Sequence, residues 1–323
     1  MPTSAKPGSP SRRAVVRAGL GAGGFAVVAL LGGCRLRLED DAPPVPFIPR
    51  KSIDDEALLI EGYRQARELS TLATAVSGSE LAHALAGQHD RQAVVLRGVL
   101  SNGGVPSSVV EPTPTATASP TPAAPASSPA KPSPASLAAA EVLAVVPATL
   151  SQLAGAVANR PLLTAITAHR ACAATLLGAP PTWPDHVALP VEVAPAALEP
   201  TQEAVYATEV AAARVPPAER SPFLGLLDIL HRRAGQLRVA AGAQADDGSL
   251  AYRLPFAVAT PDDARRLVLT VLDALVARGL DPLGVLPVGA PAVTEVARLQ
   301  AEAAVLRQQW GGAPTPFPGL VDG

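Results

Sequence analysis

The sequence predicts an all-α protein built as two antiparallel four-helix bundles joined by Pro-rich linkers. Three observations carry this. Aromatic residues make up only 3% of the 323 residues while Ala is abundant, a composition that suits closely approached helices better than sheets stocked with aromatic and β-branched side chains. Apolar residues recur at steps of three and four along most of the chain, the period of a helix with one buried face. The 35 prolines are concentrated in runs that divide these periodic stretches, and such runs cannot belong to packed helical core.

The first bundle is expected over residues 53–180. Ser52 with Asp54, Asp55 and Glu56 supplies a cap and a negative first turn, which complements the helix dipole. Leu58, Leu59, Leu69, Leu72 and Val76 mark the apolar side, and a second helix starts at Ser79 and Glu80. Its stripe is Leu85, His89, Gln92, Leu96 and Val99, so His89 faces a neighbouring helix. Residues 103–135 read as a disordered Pro/Ala/Ser/Thr-rich insert, because nine prolines between positions 105 and 135 leave too little apolar surface to offset the ordering entropy. Helical pattern resumes from Leu137 to about Ala158 with a kink before Pro147. It continues from Pro161 to Leu177 with Leu162, Ile166, His169, Ala173 and Leu176 on one side. His89 and His169 each precede a leucine by seven residues, the trace of a repeated hairpin.

A Pro-rich linker over 181–198 leads to the second bundle, residues 199–323. Its helices start at Glu199-Pro200-Thr201, at Ser221-Pro222, at Thr260-Pro261-Asp262-Asp263 and at Pro291, the last running to Trp310. Thr260 is the best marked start: a capping hydroxyl, Pro in the first turn and two carboxylates on the dipole. Cys172 lies inside a helical pattern and reads as a small buried residue.

The N-terminus reads as an address. Ser11-Arg12-Arg13-Ala14-Val15-Val16 precedes an apolar stretch, Ala18 to Gly33, that is too short for a comfortable membrane span. The Arg12-Arg13 pair resembles the twin-arginine export signal, which a receptor reads on folded cargo. Leu31-Gly32-Gly33-Cys34 resembles the bacterial lipobox, whose cysteine is acylated before cleavage. Together these imply a signal peptide at 1–33, a tether at 34–52 and a diacylglyceryl Cys34 holding the chain on the extracytoplasmic face of the membrane. Two acyl chains, at about 0.8 kcal/mol per buried CH2, anchor stably where one does not. Removing residues 1–33 takes four of the 26 basic groups and no acidic one, leaving 22 against 28, or −6; a nucleic-acid partner is not expected.

Residues 195–320 resemble the ferritin-like family of uncharacterised, lipid-anchored actinobacterial proteins. The residues that carry the resemblance are Glu203-Ala204-Val205-Tyr206, His231-Arg232-Arg233, Tyr252 through Val258, Trp310 and Phe317-Pro318-Gly319-Leu320. A ferritin-like di-iron centre takes a Glu from each of two helices and a Glu-x-x-His pair from each of the other two. Glu203, Asp228 with His231, and Asp273 are the candidate metal ligands, but the fourth helix offers Glu295 and Glu302 without a histidine. His231 is therefore expected to fill the seam between helices. Glu80-x-x-His83 has ligand spacing at a helix start, where the dipole explains the carboxylate. No phosphate loop, nucleophile elbow or Cys/His cluster occurs, so no catalytic residue is assigned. The expectation is a binding or interaction module without a resident cofactor; the alternative is a metal-dependent oxidoreductase using Fe, Mn or Zn.

Cys34→Ser is expected to release the chain from the membrane or stall its processing, and Arg12→Lys with Arg13→Lys to block export. Fractionation of membrane and medium reads both, and a Cys34→Ser chain still membrane-bound after normal processing contradicts the lipid anchor.

Overall fold

Helix ends in the chain are set where the local chemistry satisfies the orphan backbone groups of each terminus. In the computed structural model, which describes residues 50–111, 131–185, 187–245 and 252–320, the helices are α1 (Glu56–Ala75), α2 (Glu80–Asn102), α3 (Ser107–Val110), α4 (Pro134–Val142), α5 (Pro147–Gly155), α6 (Arg160–Leu176), α7 (Ala194–Arg214), α8 (Ser221–Ala241), α9 (Pro261–Arg278) and α10 (Ala292–Gln309). No strand occurs among the described residues, as the composition predicts. Arg12, Arg13 and Cys34, and the polar loop at 246–249, lie outside the described residues.

Ser79 caps α2 by accepting from the Ala82 N–H at 3.2 Å. Thr260 and Asp263 form the reciprocal capping box that starts α9, and Gly242, at φ 53°, ends α8. The kink expected before Pro147 is a 44° bend between the α4 segment and α5. The start of α7 differs from the sequence expectation of Glu199: the helix begins at Ala194 and carries Pro200 in its interior. Pro200 withholds one intrahelical donor, but Ala194, Ala197 and Leu198 are buried in the core, and that burial holds the added turn in place.

The two sequence halves share one core. Residues from Lys51 onward form one compact unit, in which α1 packs on α2, α7 on both α8 and α9, and α10 on both α9 and α6. One apolar cluster joins Leu59, Leu96 and Ile166 of the first half to Leu237, Val296 and Leu299 of the second. The sequence leaves open whether 53–180 and 199–323 form one body or two; in the structure this cluster draws residues from both. The physical reason is that α6 is buried nearly all round, at twelve successive positions from Leu163 to Ala174, so one neighbouring pair cannot cover it.

Polar contacts fix this junction and the start of α1. Arg160, at the start of α6, donates to the carbonyls of Pro287, Leu283 and Leu286 at 2.9, 2.8 and 2.7 Å. Asp55 sits in the left-handed region at φ 60°, which turns its carboxylate to accept from the Val157 and Asn159 N–H groups at 2.9 and 2.8 Å.

The insert is also shorter than expected. Val105 and Val110, inside the expected disordered range 103–135, are buried in the core, the Tyr63 hydroxyl donates to Glu111, and α4 begins at Pro134. Among the described residues no single helix is long and apolar enough to cross a membrane. The bent pair 134–154 passes that test by length and composition, and its Leu137, Val145, Leu150 and Leu153 are buried within the protein's own core.

Replacing residues 112–130 by a short Gly/Ser link should leave the melting temperature nearly unchanged, since halving a loop changes closure entropy by only about 0.6 kcal/mol. Val105→Ala and Val110→Ala should each cost roughly 1 to 3 kcal/mol of lost burial and cavity. Thermal melts of the three variants measure the contrast.

Candidate functional site

Glu141 is the lone charged residue in the stretch 134–158, and Arg170, His169 and Cys172 are the lone charged or titratable residues between positions 162 and 177. Helix packing brings these isolated groups together. The stripe of α2 turns His89 into the seam, α4 presents Glu141 to it, and His89 Nε2 lies 2.6 Å from Glu141 Oε1 with both residues fully buried. Arg170 Nε lies 3.4 Å from the second carboxylate oxygen. Arg170 also donates to the Ala140 carbonyl at 2.8 Å and to Gln65, and Gln65 donates to exposed Glu61 at 2.8 Å.

On the other side of His89, Nδ1 lies 3.1 Å from Gln92 Oε1, and Gln92 Nε2 donates to the Pro316 carbonyl at 2.8 Å. The His169 ring meets His89 edge to face at 5.4 Å between centroids. His169 Nδ1 lies 2.9 Å from the Thr315 carbonyl, so it carries the proton and donates, while its Nε2 is buried without a partner. The result is a chain of contacts from Glu61 at the surface through Gln65, Arg170, Glu141, His89 and Gln92 to the C-terminal segment, hydrogen-bonded except between Arg170 Nε and Glu141 Oε2, which meet as an ion pair.

Burial decides the electrostatics. Desolvation, reinforced by the positive neighbour His89, pushes His169 down to about 4, so its ring is neutral near neutral pH. Desolvation also lowers Arg170, and the Glu141 carboxylate opposes it. The Cys172 thiol is pushed up to about 12, by burial first and then by Glu141. Cys172 is the small core residue expected of it, and a thiol so held is not a nucleophile. His89 as a residue facing a neighbour was legible in the sequence; Glu141 as its partner was missed, although a single carboxylate in an apolar helix was the available signal.

The candidate metal residues are not brought together. His231 is exposed and pairs with Glu209 at 3.3 Å, with about half of each side chain in water, so it does not fill a helix seam as expected. Asp228 is exposed on the same face of α8, and Asp273 pairs with Arg307. Glu203 is half-buried on α7. The buried residue of the His231-Arg232-Arg233 motif is Arg233, which donates to the Leu299 carbonyl of α10 at 2.9 Å and is pushed down to about 10 by burial. Among the described residues no group of three or more His, Cys, Asp or Glu side chains is placed to share a metal ion.

Two adjoining clefts lie among the described residues. One of about 330 Å³ is walled by Pro180, Pro181 and Trp183 of the connector, Ile229 of α8 and Val305 and Leu306 of α10. The other, of about 520 Å³, contains Trp310, Leu226 and Arg265, and shares Ile229, Leu306 and Gln309 with the first. A smaller cavity of about 80 Å³ lies beside Arg170, Gln65 and Glu61. No family model, curated protein or solved structure matches the chain.

His169 has a folded-state pKa below its ordinary value of 6.5. Its contribution to stability is therefore complete above about pH 6.5 and is lost as pH falls toward 4. The loss is roughly 3 kcal/mol at 1.36 kcal/mol per unit. Denaturant melts between pH 7.5 and 4.5 should show this slope, and His169→Gln, though less stable at neutral pH, should flatten it.

Proposed function

We propose that the chain is a lipid-anchored binding module on the extracytoplasmic face of the membrane, and that it takes an apolar ligand in the cleft between α6, α8 and α10. The observation that carries the reading is the meeting of two clefts at Ile229, Leu306 and Gln309, with Trp183 lining one and Trp310 the other. A volume of about 330 Å³ with mostly apolar walls and a few polar groups is the size and chemistry of a small-molecule site. Glu302 and Gln309 supply those polar groups at the rim, and Glu302 is already held by Arg298, which favours a neutral ligand over a cationic one.

The anchor rests on Cys34 and the export route on Arg12 and Arg13, as read from the sequence. The ferritin-like assignment of the C-terminal half belongs to the same proposal. It is supported by four long helices, α7 to α10, with α7 packed on α8 and α9 and α10 packed on α9, and by the use of motif residues Arg233, Trp310 and Phe317 at packed positions.

A neutral naphthylamine dye is expected to bind saturably, to brighten, and to quench indole emission. Ile229→Glu should weaken binding tenfold or more with the melting temperature within a few degrees of wild type, because Ile229 is only partly buried. Binding that never saturates, or an Ile229→Glu protein that binds like the wild type, would sink the reading. Stoichiometric iron, manganese or zinc in protein purified without chelator, lost in both Glu203→Ala and His231→Ala, would favour the oxidoreductase instead.

A further inference from the structure

We propose that the C-terminal strap, residues 313–320, is docked through a proton held by the buried His89–Glu141 pair, so that strap docking and proton binding are one linked equilibrium. The strap crosses the α2/α6 seam on backbone carbonyls. Ala313 accepts from Arg307, Thr315 from His169 and Pro316 from Gln92. Phe317 enters the shared core. Gly319 at φ 89° passes so close to Gln300 and Leu280 that an added Cβ would lie 2.6 and 2.7 Å from them.

The direction of each hydrogen bond follows from one fixed end. The Pro316 carbonyl can only accept, so Gln92 must turn its NH2 to it at 2.8 Å. That leaves Gln92 Oε1, also an acceptor, facing His89 Nδ1 at 3.1 Å, and Nδ1 must then carry a proton. At the other ring nitrogen, Glu141 Oε1 lies 2.6 Å from Nε2, a contact between two lone pairs unless a proton sits in it. Arg170 Nε lies 3.4 Å from the second carboxylate oxygen, a cation beside the carboxylate, and we accordingly draw the proton of the 2.6 Å contact on Nε2. Turning the Gln92 amide over does not remove the need, because it sets Oε1 against the Pro316 oxygen.

Loss of that one proton to water, with no change in any heavy-atom bond, leaves His89 as one of two neutral tautomers. With the proton on Nδ1, the Nε2 lone pair faces the Glu141 carboxylate. With the proton on Nε2, the Nδ1 lone pair faces Gln92, whose only relief is to turn its oxygen on Pro316 and push the strap away. Both outcomes put an acceptor against an acceptor in a site without water contact, where an unmade hydrogen bond is most costly. The other charged or titratable groups facing the pair are Arg170, His169 and Cys172 of α6, with Glu61 of α1 behind Gln65. The strap and α10 present the two carbonyls and Gln308, which donates to Cys172 at 3.5 Å.

The test is an NMR titration of the protein labelled with 15N histidine, with the His89 signals identified by their loss in His89→Gln. While the strap is docked, both ring nitrogens of His89 should be protonated. On raising the pH, the Phe317 and Leu320 amide signals should leave their docked positions at the midpoint where His89 loses its proton. In Gln92→Met, which keeps the volume and cuts the relay, Phe317 amide exchange at fixed pH should speed up tenfold or more and no longer follow the His89 titration. A bare ring nitrogen on His89 with the strap docked, or a strap that stays docked after the proton is gone, overturns the proposal.

Discussion

Glu141 is a fully buried carboxylate, and burying a charge is tolerable only where partners surround it. Its partners come from two other helices, His89 from α2 and Arg170 from α6, so the position of α4 is fixed by charge as well as by the apolar contacts of Leu137 and Ala138. Arg170 in turn reaches α1 through Gln65, and His89 reaches the C-terminal strap through Gln92. Removing one member of such a set leaves an uncompensated charge in the interior and costs roughly 3 to 5 kcal/mol, whereas an apolar replacement of the whole set is often neutral. The relay is therefore weak evidence for stability as such. Its contribution is to specify one arrangement of α1, α2, α4, α6 and the strap over the many that helices of similar apolar surface would allow.

Much of the helical order was legible because helix ends are local chemistry. Ser79, the Thr260 box and Gly242 act within one turn of chain, so their side chains and backbone preference are enough to read them. Pro200 shows the limit of that locality: it marks a start by every local rule, yet α7 runs through it because Leu198 and its neighbours are buried by distant helices. Val105 and Val110 show the same limit from the other side, two apolar residues hidden in a Pro-rich stretch and recruited by the core.

The site was less legible than the fold. On α8, Leu227, Leu230, Ala234 and Leu237 form the buried stripe while Asp228 and His231 fall on the exposed face, so spacing within a helix identified a pair that shares a face but not which face. His89 and His169 were visible as members of apolar stripes. Their meeting at 5.4 Å, and the choice of Glu141 and Pro316 as partners, depend on α4 and the strap arriving from 52 and 224 positions away in the chain, and no periodicity encodes that.

The packing of α10 on α6 sets the order of synthesis against the order of assembly. The first six helices leave the ribosome with one flank of α6 bare and with Gln92 and His169 lacking the Pro316 and Thr315 carbonyls, and the chain that covers them follows later. A product cut short after α9 carries an open groove over Gln92 and His169 where the described structure carries a dry seam. A chain with α10 and the strap in place and one without them therefore present two different surfaces at the same seam.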